Sequence, residues 1–373
     1  MNILAYSSIF NIILCMENKN LVIQNVNGEM RYCRTVGNEL NVLADKLKKS
    51  YDCKQRKAFP LILPSGTAAM SVAISTCVNK YKPFQINDSL PNIIYGNELY
   101  CDTIRTIKFI NYDEQCEIYP INVNDTVHTI ELFNKMKDQH NILVLESCSN
   151  PSGYIFDWSI IPHLCKLSKT LTVVIDNTWL THYIFNPLEY YADIVVLSLT
   201  KYYSAGNHIG GALIATSRKV LGNLYYCIKV FGLHTSPFAC DIISKNMDTL
   251  EERIIKTSDI TKQVVEFMIN HNMIFRHPLI HSKEKNQKYF KNELVPGVIS
   301  FELNTSPEKI KDFVQKLNIK FETSYGSAYS RICNHLVKKS DNVTKIRLSI
   351  GYDDTYKRLH DEVLEPFIKE LNL

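Results

Sequence analysis

The chain has 373 residues, enough for about two or three domains of ordinary size and for a core that needs no metal or disulfide staple. Its apolar and charged fractions, 45% and 21%, are those of a soluble globular protein, and with only 13 glycines and 13 prolines collagen-like and disordered chains are excluded. A formal net charge of +4 over this length argues against a nucleic-acid partner.

The elements follow in chain order. Met1 to Met16 is apolar and uncharged, with Glu17 the first charge. It lacks the basic start and small-residue cleavage site of a signal peptide, and Ser, Asn and Cys interrupt it too often for a membrane span. An extended arm is expected, and no membrane partner. Leu61 to Leu63 is a short apolar run ending in Pro64-Ser65-Gly66, and a helix is predicted over Thr67 to Tyr81. Strands are predicted at Asn92 to Tyr95, Ile142 to Glu146, Leu171 to Asp176 and Ile194 to Leu199. Short apolar strands separated by helical segments predict a mainly parallel α/β sheet covered on both faces. Asp241 to Asn270 reads as one long helix joining two domains, with Glu251, Glu252 and Arg253 exposed. Strands at Val298 to Leu303 and Ile346 to Ile350, and helices at Pro307 to Leu317 and His360 to Leu371, predict a smaller α+β domain.

Eleven cysteines, an odd number at irregular spacing, include no C-x-x-C pair. That excludes a zinc ribbon or a thioredoxin-type motif and predicts reduced thiols in a cytoplasmic protein. His277 and His281 have helical spacing but no third ligand, so they are read as solvated histidines and no metal is expected.

In open parallel sheets ligands bind at the carboxyl ends of the strands. Here those ends carry Glu146 with Ser149-Asn150-Pro151 beyond it, Asp176, and Ser198-Leu199-Thr200-Lys201, while Ser65-Gly66 opens a helix. A helix N-terminus there suits a phosphate, and Ser198 and Thr200 add hydroxyls. Taken singly, Ser65-Gly66 is a plain cap, Asp176 another, and Lys201 a solvated lysine. Taken together, an anion cradle, a carboxylate and an amine are what pyridoxal phosphate (PLP) needs.

The same residues resemble the Cys/Met-metabolism PLP enzymes, the family of cystathionine γ-synthase, cystathionine γ-lyase, cystathionine β-lyase and methionine γ-lyase. Ala5 to Phe10 resembles the P-I-Y-x-x-S-T-F arm, and Tyr32-Cys33-Arg34-Thr35 resembles Y-S-R-x-G-N-P-T. Ser65 to Ala69 is similar to S-G-M-A-A, and Leu99 to Arg105 to L-Y-G-G-T-Y-R. Glu146 to Pro151 is similar to E-x-x-x-N-P, Asp176-Asn177-Thr178 to D-N-T, and Ala192 to Tyr202 to A-D-I-V-x-x-S-x-T-K-Y. Ser236-Pro237-Phe238 and Thr249-Leu250 match the linking-helix region, Pro296 to Leu303 the G-G-M-I-S-F-E-L strand, and Arg347 to Gly351 the block R-L-S-V-G.

The resemblance implies a fold-type-I, aspartate-aminotransferase-like architecture. An N-terminal arm and helix (1–58) would contact a neighbouring subunit, 59–250 would form the large PLP-binding domain, and 251–373 a C-terminal α+β domain. Lys201 would hold the cofactor covalently and move protons. Asp176 would pair with the ring nitrogen, and Tyr100 would stack on the ring and assist the leaving group. Gly66, Thr67, Ser198 and Thr200 would hold the phosphate, joined by Tyr32 and Arg34 from the neighbouring subunit of a homodimer or homotetramer. Arg347 would clamp the substrate α-carboxylate, with Asn150 and Ser324 supporting it and Thr323 facing the substrate.

The implied activity is elimination or replacement at Cγ of a cystathionine-, homoserine- or methionine-like amino acid. Alternatives are a cystathionine β-lyase, a homoserine sulfhydrylase and a catalytically inactive binding or regulatory protein. The chain departs from the pattern at several points. Val36 is extra, Glu39-Leu40 replaces P-T, the stretch after Tyr202 is one residue shorter, and the arm begins late. Thr323 stands where γ-enzymes often carry glutamate and β-lyases tyrosine, while Tyr325 two residues on leans toward the β-lyases. The block around Tyr100 leans toward the γ-enzymes.

Overall fold

The computed structural model describes residues 37–81, 90–334, 337–340 and 343–371. The expected arm, with Tyr32 and Arg34, lies outside them.

Helix α1 (Asn38–Tyr51) buries Leu43, Leu47 and Tyr51 along one face, the four-residue spacing of a single helical stripe. After it come β1 (Phe59–Leu63), α2 (Gly66–Tyr81), β2 (Asn92–Gly96), α3 (Cys101–Ile110) and β3 (Glu117–Ile121). Strands β4 (His140–Glu146), β5 (Thr170–Asp176), β6 (Ile194–Ser198) and β7 (Gly211–Ala215) complete a seven-stranded sheet. Its order is β1-β7-β6-β5-β4-β2-β3. Neighbours from β6 through β3 pair in parallel, whereas β7 runs antiparallel to both β6 and β1.

Alternate residues of the central strands feed two cores. Ile142, Val144, Val174 and Val196 pack with α2 and with α4 (Arg218–Phe231). Leu143, Leu145, Ile175 and Leu197 pack with α1 and with α5 (Pro237–Asn246). Burial on both faces explains why these strands read as continuous apolar runs. Two strands lacked that signal. The β3 strand carries Pro120 and lies half exposed at the sheet edge, where proline is tolerated. The β7 strand is built from the small residues Gly211, Ala212 and Ala215 around Leu213 and Ile214.

The expected single helix over Asp241 to Asn270 is two helices. The α5 helix ends at Asn246, a short 3-10 turn spans Met247–Thr249, and α6 runs from Leu250 to Asn270. Arg253 holds the break and is buried, not exposed as expected. Its guanidinium donates to Asn246 O at 2.5 Å, to Thr249 Oγ1 at 3.2 Å and to Tyr202 O at 2.6 Å.

The second sheet contains β8 (Phe275–Arg276), β9 (Val298–Leu303), β10 (Lys320–Phe321), β11 (Arg331–Ile332), β12 (Val337–Ser340) and β13 (Val343–Ser349). Its order is β10-β11-β13-β9-β8, with β12 also paired to β13. Ile346 and Leu348 of β13 join Ile299, Phe301 and Leu303 of β9 in a core covered by Val264 and Met268 of α6. Alternation turns the intervening residues the other way. Lys345 Nζ reaches Ser152 Oγ at 2.6 Å and Arg347 Nη1 reaches Asn150 Oδ1 at 3.3 Å, both across to the first sheet's loops.

His277 is also corrected: it is fully buried, with Nε2 3.0 Å from Pro296 O and Nδ1 accepting the Leu279 N–H. Burial pushes its imidazole down to about 4. Among the described residues no group of three His, Cys, Asp or Glu side chains is placed to hold a metal, and no disulfide forms. No described helix is long and apolar enough to cross a membrane.

Candidate active site

The carboxyl ends of β4, β5 and β6 lie side by side. Glu146 and Asp176 are register partners on adjacent parallel strands, so their carboxyl groups leave the sheet together. Burial pushes the Asp176 carboxyl up, and the Thr178 N–H, donating to Asp176 Oδ1 at 2.8 Å, opposes this. Burial first, then the Asp176 charge, raises Glu146 well above the carboxylate range. Thr178 Oγ1 accepts the Ser198 N–H at 2.7 Å, which ties the end of β5 to the end of β6.

The N-terminus of α2 comes down directly on Ser198. A Cβ at Gly66 would lie 2.6 Å from Ser198 Cβ, so only glycine allows this approach. Ser65 Oγ caps the Ala68 N–H at 3.0 Å. The Gly66 and Thr67 amides belong to the first turn, whose N–H groups have no intrahelical acceptor. Thr67 is exposed. Thr200 is committed elsewhere: its hydroxyl donates to Gly210 O at 3.2 Å and accepts the Gly210 N–H at 3.1 Å.

Lys201 follows β6 and points toward the second sheet's loops. Its Nζ donates to Ser324 Oγ at 2.9 Å and lies 5.4 Å from the centre of the Tyr325 ring. Burial, then the charges of Arg347 and Arg331, pushes this amine down to about 8. Ser324 has φ +113°, a sparsely populated backbone region for a residue with a side chain. The Tyr325 ring stacks on Trp179 at 6.0 Å and has the Arg347 guanidinium 5.9 Å from its centre. Arg347 Nε is buried without a hydrogen-bond partner among the described residues. Asn150 is the guanidinium's side-chain partner.

Tyr100 caps α3. Its backbone N–H donates to Glu146 Oε1, and the residue is 45% exposed. Thr323 is exposed, and its carbonyl accepts from Arg331 Nη1 at 3.5 Å. The geometry therefore links Gly66, Ser198, Asp176 and Tyr100 along the strand ends, and Lys201, Ser324, Asn150 and Arg347 across the two sheets. Three contributors have no role that the sequence alone assigns. Trp179 follows the D-N-T block directly. Glu146 ends a strand and opens the E-x-x-x-N-P block. Arg331 sits in a two-residue strand with no periodic signal.

These groups fit pyridoxal phosphate. The glycine-only cradle at α2 matches a phosphate, the buried Asp176 carboxyl a ring nitrogen, and the depressed Lys201 amine an aldehyde. The orphaned Arg347 Nε matches a carboxylate.

The sequence profile of the Cys/Met metabolism PLP-dependent enzymes spans residues 4–361. L-methionine gamma-lyase of Porphyromonas gingivalis is 28% identical over 261 residues, 68% of this chain and 62% of that protein. Cystathionine beta-lyase of Neurospora crassa is 28% identical over 213 residues, 56% of this chain and 46% of that protein. The chain thus matches less than two thirds of the length of either relative. A solved structure from Campylobacter jejuni, which carries N'-pyridoxyl-lysine-5'-monophosphate, shares the fold with a TM-score of 0.75. It is 23% identical, and the match covers 90% of this chain and 87% of that one. The sheet order, the strand-end site and the profile agree: the chain has the fold-type-I architecture and belongs to the Cys/Met metabolism PLP-dependent enzyme family.

Proposed function

We propose that the protein eliminates or replaces a group at Cγ of a sulfur-containing or O-acylated amino acid. The reading rests on one observation: Lys201, whose amine burial pushes down to about 8, follows the β6 end at Ser198, on which the α2 N-terminus closes and to which Thr178 ties the buried Asp176 carboxyl. Bound pyridoxal phosphate would supply a protonated ring that stores the electron pair freed when the α-proton leaves.

The chain's own residues do the rest. Lys201 would hold the cofactor's aldehyde and would carry protons between Cα and Cβ of the substrate, the two positions a γ-reaction must deprotonate in turn. Asp176 would pair with the ring nitrogen. Gly66 and Thr67 amides and the Ser198 hydroxyl hold the phosphate, with Thr200 shaping that loop through Gly210. Tyr32 and Arg34 complete the phosphate site from the neighbouring subunit of a homo-oligomer. Arg347 clamps the substrate α-carboxylate through the fork that includes its unpartnered Nε, and Asn150 orients it. Ser324 holds the Lys201 amine between transfers. Tyr100 covers the ring face, and Thr323 faces the distal part of the substrate.

The block around Tyr100 favours γ-chemistry. Tyr325, stacked under Lys201 and Arg347, is the observation that favours the β-lyase alternative. Borohydride reduction followed by peptide mapping tests the site: pyridoxyl on Lys201 is expected, and pyridoxyl on another lysine, or on none, overturns it. Release of 2-oxobutyrate from γ-substrates supports the proposed reaction. Pyruvate as the sole ketoacid, from cystathionine only, makes the protein a β-lyase.

A further inference from the structure

Tyr100 is held from two sides. Glu146 takes its backbone N–H. Its hydroxyl donates to Asp102 Oδ2 at 2.9 Å, and Arg105 Nη1 donates to Asp102 Oδ1 at 2.7 Å. The chain tyrosine-aspartate-arginine runs along the first turn of α3. Cys101 and Asp102 stand at the two glycines of the L-Y-G-G-T-Y-R pattern, so neither side chain belongs to the resemblance. An aspartate in a first turn is an ordinary complement to the helix dipole. That role does not require the contact with the phenol.

We propose that Asp102 is a positioning residue that fixes the Tyr100 ring through its hydroxyl and keeps it a phenol, so that Tyr100 holds its own proton and takes none from the substrate. The proposal rests on the reading of the cleft as a PLP site and deepens it.

The physical argument is local. Ionising Tyr100 would remove the O–H that Asp102 accepts and set two anions 2.9 Å apart. Asp102 stays charged because the Arg105 hydrogen bond, then the Tyr100 hydrogen bond, holds its carboxyl below the usual range. Of the other charged groups near the phenol, Cys101 also opposes its ionisation, and the Arg105 charge favours it but more weakly than burial and Asp102 oppose it; Glu146 from β4 meets only the backbone N–H. Burial first, then Asp102, pushes the phenol up to about 12, while Lys201 is pushed down to about 8. Two titratable groups displaced in opposite directions divide the work. Lys201 takes the α-proton, and Tyr100 keeps its own and holds the ring face.

The test is a pH titration of the holoprotein labelled with carbon-13 at the tyrosine ζ position, read by nuclear magnetic resonance. Tyr100→Phe identifies the signal. Parent, Asp102→Asn and Asp102→Glu are then compared from about pH 7 to about pH 11, with Asp102→Gly used if the asparagine variant does not fold. The parent signal is expected to keep its phenol shift across this range. Asp102→Asn should bring the midpoint down into this range, and Asp102→Glu should move it back out. An Asp102→Asn signal that keeps its phenol shift up to about pH 11, as the parent's does, overturns the proposal, as does a parent phenol that ionises below about pH 10. The titration reads the phenol without turnover. A failed borohydride map at Lys201 would sink the PLP reading and leave the phenol result standing, so the two failures are distinguishable.

Discussion

Replacing Lys201 with methionine stabilises the cofactor-free protein at neutral pH, and the gain vanishes in alkali. Burial, Arg347 and Arg331 bring the amine from its ordinary 10.5 to about 8. Carrying that charge into the folded state therefore costs ~3 kcal/mol, at about 1.36 kcal/mol per pH unit of displacement. Below a pH of about 8 the amine is protonated in both the folded and the unfolded chain, and the full cost is present. Between about 8 and 10.5 the folded amine has lost its proton and the unfolded one has not, so stability of the parent rises with pH. Above that window both are neutral and the cost is gone. Methionine has similar length and no charge, but it gives up the hydrogen bond to Ser324, worth ~1 kcal/mol. The net gain at pH 7 is ~2 kcal/mol, a sizeable share of the ~5–15 kcal/mol that keeps a domain folded. Urea unfolding of parent and Lys201→Met, both freed of cofactor, from about pH 7 to about pH 10 measures it as a shift of midpoint at constant slope. A variant no more stable than the parent at pH 7 would refute the reasoning. So would a gain that does not change with pH, since the amine would then not be electrostatically poised.

Three further outcomes are expected. Gly66→Ala puts a methyl 2.6 Å from Ser198 Cβ and 2.9 Å from Ser198 Cα, so backbone must move. The overpacking costs ~1–3 kcal/mol and should weaken cofactor binding about tenfold or more, read by absorbance titration; unchanged binding would remove the α2 N-terminus from the phosphate site. Thr323→Glu should raise kcat/KM for cystathionine relative to methionine, by about tenfold, the lower end of a charged hydrogen bond's worth, because the side chain is exposed. An unchanged ratio would place the distal ammonium elsewhere. Mixing Arg34→Ala chains with Lys201→Ala chains, each inactive alone, should restore activity in hybrid oligomers, and hybrids that form but stay inactive would count against a site shared between subunits.

The parts of the site that could be read from the sequence sit where backbone periodicity decides position. A strand buried on both faces shows as an apolar run, and the first polar residue after it marks the sheet's carboxyl end. Glu146, Asp176 and Ser198 were found that way. Residues whose position depends on a partner distant in sequence were not. Arg253 and His277 look like surface residues until Tyr202 O and Pro296 O are supplied by other segments. Thr200 has a hydroxyl of the right type in the right block, yet its bonds go to Gly210, a partner that no motif announces.

The same limit governs the contact that matters most to the proposed chemistry, between Lys201 and Ser324. Two glycines make it possible. Gly206, at φ +78°, leaves room for Ser327, whose Cβ would lie 2.8 Å from an added methyl. Gly326, at φ +76°, leaves room for Tyr202, whose backbone nitrogen would lie 2.7 Å from one. Each glycine thus lies where the other loop comes closest, and the loops after Lys201 and after Ser324 interlock like two hooks. Arg331 braces the second hook from behind, through Glu322 Oε1 at 3.0 Å and the hydroxyl of Ser327. The unusual backbone of Ser324 is tolerated because both sides of its loop are fixed in this way. In the sequence these are only an Ala-Gly and a Tyr-Gly, more than a hundred residues apart. Their meaning exists only as a pair, because a glycine that admits another loop carries no local signature of which loop it admits.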